Sequence, residues 1–123
     1  MIERRETITV SAEGTGKHMK QSGGGGEYGN VIIRVEPNTG KGYEFVNAIV
    51  GDILPKKFIR AVEEGVKEIL ELGITPGYPV TDIKVTLLFG TYHDVDSSEK
   101  AFKSAAILAV RNALKEAKPV LIG

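Results

Sequence analysis

The chain has no cysteine, no net charge with its histidines neutral, and no long apolar run. The first absence removes disulfide frameworks, thiolate metal ligands and thiol redox chemistry, and it suits a reducing compartment. The second argues against a free-standing protein that coats nucleic acid electrostatically, because that binding needs many uncompensated cations. No stretch approaches the ~18 uninterrupted apolar residues of a membrane span, and the start MIERRETITV has no apolar signal segment. A soluble, cytoplasmic protein without a membrane partner is therefore expected. Histidine is scarce as well. Only His18 and His93 occur, so a metal centre would need their two segments to converge with Asp94 or Asp96, and no metal site is expected.

What is present suffices for one domain, residues 1–123. A chain of 123 residues buries roughly two-thirds of the surface its unfolded form exposes. Thr7 to Ser11 and Val31 to Glu36 are rich in β-branched residues and read as strands, the second closed by Pro37. Tyr43 to Val50 is a further strand candidate. Between the first two lies a polar, glycine-bearing segment, Ala12 to Lys20, which runs into the glycine tract and reads as a loop. Pro55 opens a helix in which Phe58, Ile59, Val62, Val66, Ile69 and Leu70 recur at helical steps, and Gly73 ends it. Gly65 inside that helix implies close backbone packing. Val80 to Leu88 alternates as a long strand. A second helix, Glu99 to Ala117, carries an apolar stripe from Phe102 to Leu114, with capping expected from Asp96 and Glu99 or from Ser97 or Ser98. The order β, β, β, α, β, α predicts an α+β fold, a two-layer sandwich with two helices on one face of the sheet.

Two segments could carry chemistry. In KQSGGGGEYGN, Gly24 to Gly29 satisfies the G-x-G-x-x-G dinucleotide pattern, but that pattern needs a strand before it and a helix after it. Here a polar segment precedes and the strand VIIRVE follows, so the match is chance. A kinase glycine loop is excluded by the missing catalytic motifs and the short chain. A hairpin tip remains. The second segment gathers His93, Asp94, Asp96 and Ser97, the residue types of a hydrolytic triad. Packed into one short loop they can hardly aim at one another, so no catalytic residue is assigned. A small enzyme using His93 with Asp94 as acid and base would require a concave pocket beside that loop. The glycine segment leads into one strand and the His93 segment leaves another, which allows both to lie at one end of the sandwich. With Lys17, His18 and Lys20 alongside, that end suggests a tip touching a nucleic-acid backbone.

The residues Gly16-Lys17-His18, Gln21-Ser22-Gly23-Gly24, Tyr28-Gly29, Gly77-Tyr78-Pro79-Val80 and Tyr92-His93-Asp94-Val95-Asp96-Ser97-Ser98-Glu99 resemble domain IV of bacterial-type elongation factor G, almost from end to end. The resemblance implies a four-stranded sheet with two helices, like the second domain of ribosomal protein S5. It implies a monomeric arm of a larger factor, entering the decoding region of the small ribosomal subunit during translocation and contacting ribosomal, transfer and messenger RNA. On this likeness the tip residues are Lys17, His18, Lys20, Gln21, Ser22, Gly23, Gly24, Gly25 and Gly26 on one side. Tyr92, His93, Asp94 and Val95 form the other, with His93 on the family's tip histidine. No cofactor is implied for this segment, since GTP and magnesium belong to a separate GTPase domain. Gly25 stands where the family usually has arginine, Glu27 where it has glutamine, Asn30 where it often has histidine and Phe89 where it has aspartate. Those departures leave a divergent paralogue acting at another step as the alternative, and a pure scaffold role as the bland one. Met1 directly before the matching segment and the stop after Pro119 to Gly123 lead to the expectation of a piece of a longer protein.

Overall fold

A computed structural model of the chain describes residues 5–22, 25–74 and 77–122. The elements are β1 (Arg5–Ile8), β2 (Ala12–Ser22), β3 (Gly25–Pro37), β4 (Glu44–Asn47), α1 (Lys56–Leu72), β5 (Ile83–Thr91), α2 (Glu99–Glu116) and β6 (Pro119–Ile122). The main sheet has four strands in the order β2-β3-β5-β4. The expected α+β arrangement of two helices and a four-stranded sheet is what the chain adopts, though one expected strand is not in the sheet. β1 lies outside it and pairs instead with β6 in a two-stranded ribbon. Its place is taken by β2, the segment expected to be a loop.

The reason is visible on the buried side of β2. Alternation places Gly14 and Gly16 inward, where both are buried, while Glu13, Thr15 and Lys17 are exposed. A strand whose inward positions are glycines carries no apolar alternation to read. Those glycines let α2 lie on the sheet backbone to backbone. A Cβ at Gly14 would overlap the Ala109 carbonyl oxygen and lie 2.7 Å from the Ala113 nitrogen; one at Gly16 would overlap the Ala105 carbonyl oxygen and lie 2.6 Å from the Ala109 nitrogen. The alanine stripe of α2 is the other half of this fit, because Ala105, Ala109 and Ala113 are completely buried.

The rest of the core is conventional. β3 contributes Val31, Ile33 and Val35, β5 contributes Ile83, Val85 and Leu87, and α1 contributes Phe58, Val62, Val66 and Ile69. α1 starts after Pro55, whose carbonyl accepts from the Phe58 and Ile59 amides, and stops at Gly73, whose φ of +80° suits glycine. Gly65 meets α2 as expected: a Cβ there would come 2.6 Å from the Lys103 carbonyl oxygen. α2 is capped by Ser98, whose hydroxyl accepts from the Ala101 amide at 3.1 Å, rather than by an Asp96–Glu99 pair.

β5 also runs further than expected, through Phe89, Gly90 and Thr91. Ile33 pairs with Leu87 and Ile32 with Phe89, so Leu88 is an extra residue in a bulge. The bulge turns Phe89 and Thr91 toward the sheet face away from the helices, alongside Ile32 and Asn30. Phe89 is 41 % exposed there.

Candidate nucleic-acid interface

β5 ends where Thr91 pairs with Asn30, but β2 and β3 continue past it through five further pairs, from His18–Gly29 to Ser22–Gly25. The hairpin thus projects beyond the sheet as a two-stranded arm. Lys17, His18 and Lys20 are part of this paired strand, not of a loop. Lys17 and Lys20 are exposed, and Lys20 is paired with Glu27 across the strands. His18 turns to the helix side, with Nε2 shielded from solvent and 3.7 Å from the Glu27 carboxylate, too long for a hydrogen bond. Gln21, Ser22, Gly25 and Gly26 lie on the last pairs of the arm, while Gly23 and Gly24 fall outside the described residues.

The segment after β5 folds back against this arm. The His93 amide donates to the Ser97 hydroxyl at 2.8 Å, and the Ser97 amide donates to the His93 carbonyl at 3.1 Å, closing a tight turn. Neighbouring side chains go opposite ways. Tyr92 packs on Phe58 with ring centroids 5.8 Å apart, and Phe58 stacks on Phe102 at 4.6 Å, tying the loop to the helical layer. His93 stacks on Tyr28 of the arm, centroids 3.8 Å apart and planes within 6°. The Tyr28 amide donates to the Asp96 carbonyl at 3.0 Å, and its hydroxyl shares a 2.9 Å hydrogen bond with the Thr91 hydroxyl. The structure therefore brings the two tip segments together at one end of the sandwich, and Tyr28 is where they meet. Sequence reasoning does not single it out as a tip residue. The available signal is its alternation with Asn30 on the face opposite Val31 and Ile33.

This geometry does not assemble acid–base machinery. Ser97 Oγ is spent on a backbone amide, the His93 ring faces an aromatic ring, and Asp94 and Val95 are exposed, Val95 at 92 %. A loop whose side chains stand out in solvent in this way is a poor place to keep water from a reacting pair. Among the described residues no group of three or more histidines, aspartates or glutamates is placed to hold a metal, and no helix is long and apolar enough to cross a membrane. What the tip offers is protruding backbone, an exposed imidazole and flanking lysines, the contact types used on RNA backbones and unpaired bases.

A surface cleft of ≈ 310 Å³ lies at the other end of the molecule, lined by Tyr43, Lys67, Leu70, Glu71, Pro79 and Val80. Although 37 % of Tyr43 remains exposed, burial of the rest, with the Glu63 carboxylate adding to it, pushes its hydroxyl up from 10.0 to about 12. The unfolded chain would release that proton near pH 10 and the folded chain only near 12. Tyr43 therefore favours folding fully below pH 10, and that contribution is lost as the pH rises toward 12. An ultraviolet alkaline titration should find one of the four tyrosines ionising last, and Tyr43→Phe should remove that step. Four tyrosines ionising together would contradict it.

Against this structure, the family model for elongation factor G, domain IV, matches residues 1–118. The chain belongs to the elongation factor G domain IV family. A crystal structure from Thermus thermophilus superimposes with a TM-score of 0.91 and is 45 % identical, covering 98 % of this chain. The chain spans only about a fifth of that protein, 18 % of its length. Domain IV is a non-catalytic domain of its factor.

Proposed function

We propose that the chain is the ribosome-engaging arm of a translational GTPase of the elongation factor G type. Its tip contacts transfer and messenger RNA at the decoding region of the small subunit and promotes translocation. GTP and magnesium are handled by a separate domain of the same factor, and neighbouring domains and ribosomal RNA are its other partners. The observation that carries this reading is the joined tip: two segments more than sixty positions apart, stacked His93 on Tyr28 at the end of a rigid α+β body. A sandwich with backbone-to-backbone packing transmits displacement without bending, and the imidazole offers a donor to phosphate or 2′-hydroxyl groups.

In the full-length factor, His93→Ala should slow single-round translocation about tenfold, the equivalent of losing one charge-assisted hydrogen bond, while ribosome-stimulated GTP hydrolysis survives. Translocation at the wild-type rate would reject the reading. A paralogue acting at another ribosomal step is the second reading, favoured by Glu27, which sets a carboxylate beside His18 on the arm. It predicts that His93→Ala impairs that step and spares translocation.

A further inference from the structure

Two segments so distant in sequence form one surface only if something holds them in register. We propose that Tyr28 is the positioning residue for His93: its ring sets the plane of the imidazole and its backbone fastens the His93 loop to the arm, so that both meet RNA as one unit. The inference rests on the reading of the tip as an RNA-contacting surface.

Four contacts converge on this role. The Tyr28 and His93 rings lie 3.8 Å apart and within 6° of parallel, so the imidazole has one covered face. The Tyr28 ring is itself pinned at its far end by the Thr91 hydroxyl of β5 at 2.9 Å. Its amide donates to the Asp96 carbonyl, and Tyr28 and Ser97 form an isolated parallel bridge. Ser97 in turn holds the His93 backbone from both sides. The His93 main chain is thus held by Ser97 and its side chain by Tyr28, and both supports lead back to the same residue of the arm. An exposed imidazole without such support samples several rotamers, and ordering it on binding weakens the contact. Tyr28 is half-buried under His93, so it acts through His93 rather than on RNA.

Two substitutions separate ring from hydroxyl. Tyr28→Phe keeps the stack and loses the Thr91 bond; Tyr28→Val keeps a strand former and loses the ring. In proton NMR of this chain, the His93 imidazole protons should show the ring-current shift and cross-relaxation with the Tyr28 ring in wild type, and the shift should persist in Tyr28→Phe and vanish in Tyr28→Val. In the full-length factor, Tyr28→Val should slow translocation about two- to tenfold, the range of an aromatic pair, and add nothing in a His93→Ala background. His93 resonances at unstacked positions in the wild type, a measurement that needs no variant to fold, would overturn the proposal. So would Tyr28→Val slowing that is undiminished when His93 is already alanine. If His93→Ala alone leaves translocation unchanged, the functional reading fails, and the wild-type resonances still decide whether Tyr28 positions His93.

Discussion

Replacing Gly16 by valine is expected to destabilise the fold by about 3 kcal/mol or more, lowering the melting temperature by roughly 10 °C. The argument is geometric. A Cβ at Gly16 would overlap the Ala105 carbonyl oxygen, and that oxygen belongs to helix backbone, which cannot rotate away as a side chain does. The helix would have to lift off β2, opening a gap along the alanine stripe below it. Gly40→Ala is the control: it has a positive φ of +75° but nothing within 4 Å of a new Cβ, so only backbone strain of about 1 kcal/mol should appear. Equal losses at the two positions in thermal unfolding would show that close packing is not what Gly16 supplies.

The second large effect belongs to Phe102. Its side chain is completely buried at the start of α2, stacked on Phe58, which in turn meets Tyr92. Phe102→Ala should remove about 3–5 kcal/mol, roughly a fifth or more of the stability of an ordinary domain. Urea unfolding should give a lower midpoint with an unchanged slope. Phe102→Leu, which retains most of the volume, should lose less than half as much. Because Phe58 links Phe102 to Tyr92, the alanine variant should also broaden the backbone resonances of residues 92–97 before the sheet is affected. A loss below about 1 kcal/mol would mean that the neighbours collapse into the space and that Phe102 is not the junction of the layers.

How far this fold can be read from sequence depends on where its apolar signal lies. α1 and α2 are legible because Phe58, Val62, Val66 and Ile69, and Phe102, Ala105, Ala109 and Val110, recur at helical spacing. β3 and β5 are legible because Val31, Ile33, Val35 and Ile83, Val85, Leu87 alternate. β2 is not, because the buried positions that define it are glycines, and the alanines that explain them lie about ninety residues later. β6 escapes for another reason: four residues opening with proline give too short a pattern, and its partner β1 reads as a strand of the main sheet. At the tip, the meeting of the two segments is inferable from strand order, whereas the stack itself is not. It depends on which way Tyr92 and His93 point.

That direction is decided upstream. Were Leu88 paired opposite Ile32 in a regular strand, every side chain after it would fall on the side opposite to the one it occupies. The unpaired Leu88 shifts the alternation by one place, sending Gly90 inward beneath Leu54 and Thr91 outward beside Asn30. Carried two residues on, the same parity gives Tyr92 to the helices and His93 to Tyr28. One inserted residue in a strand is thus a frame setting for the loop that follows it. Deleting Leu88 would remove the bulge and keep Phe89 opposite Ile32, so Tyr92 and His93 would hold their directions, whereas drawing Leu88 into the ladder opposite Ile32 would exchange the aromatic ring inside with the imidazole outside.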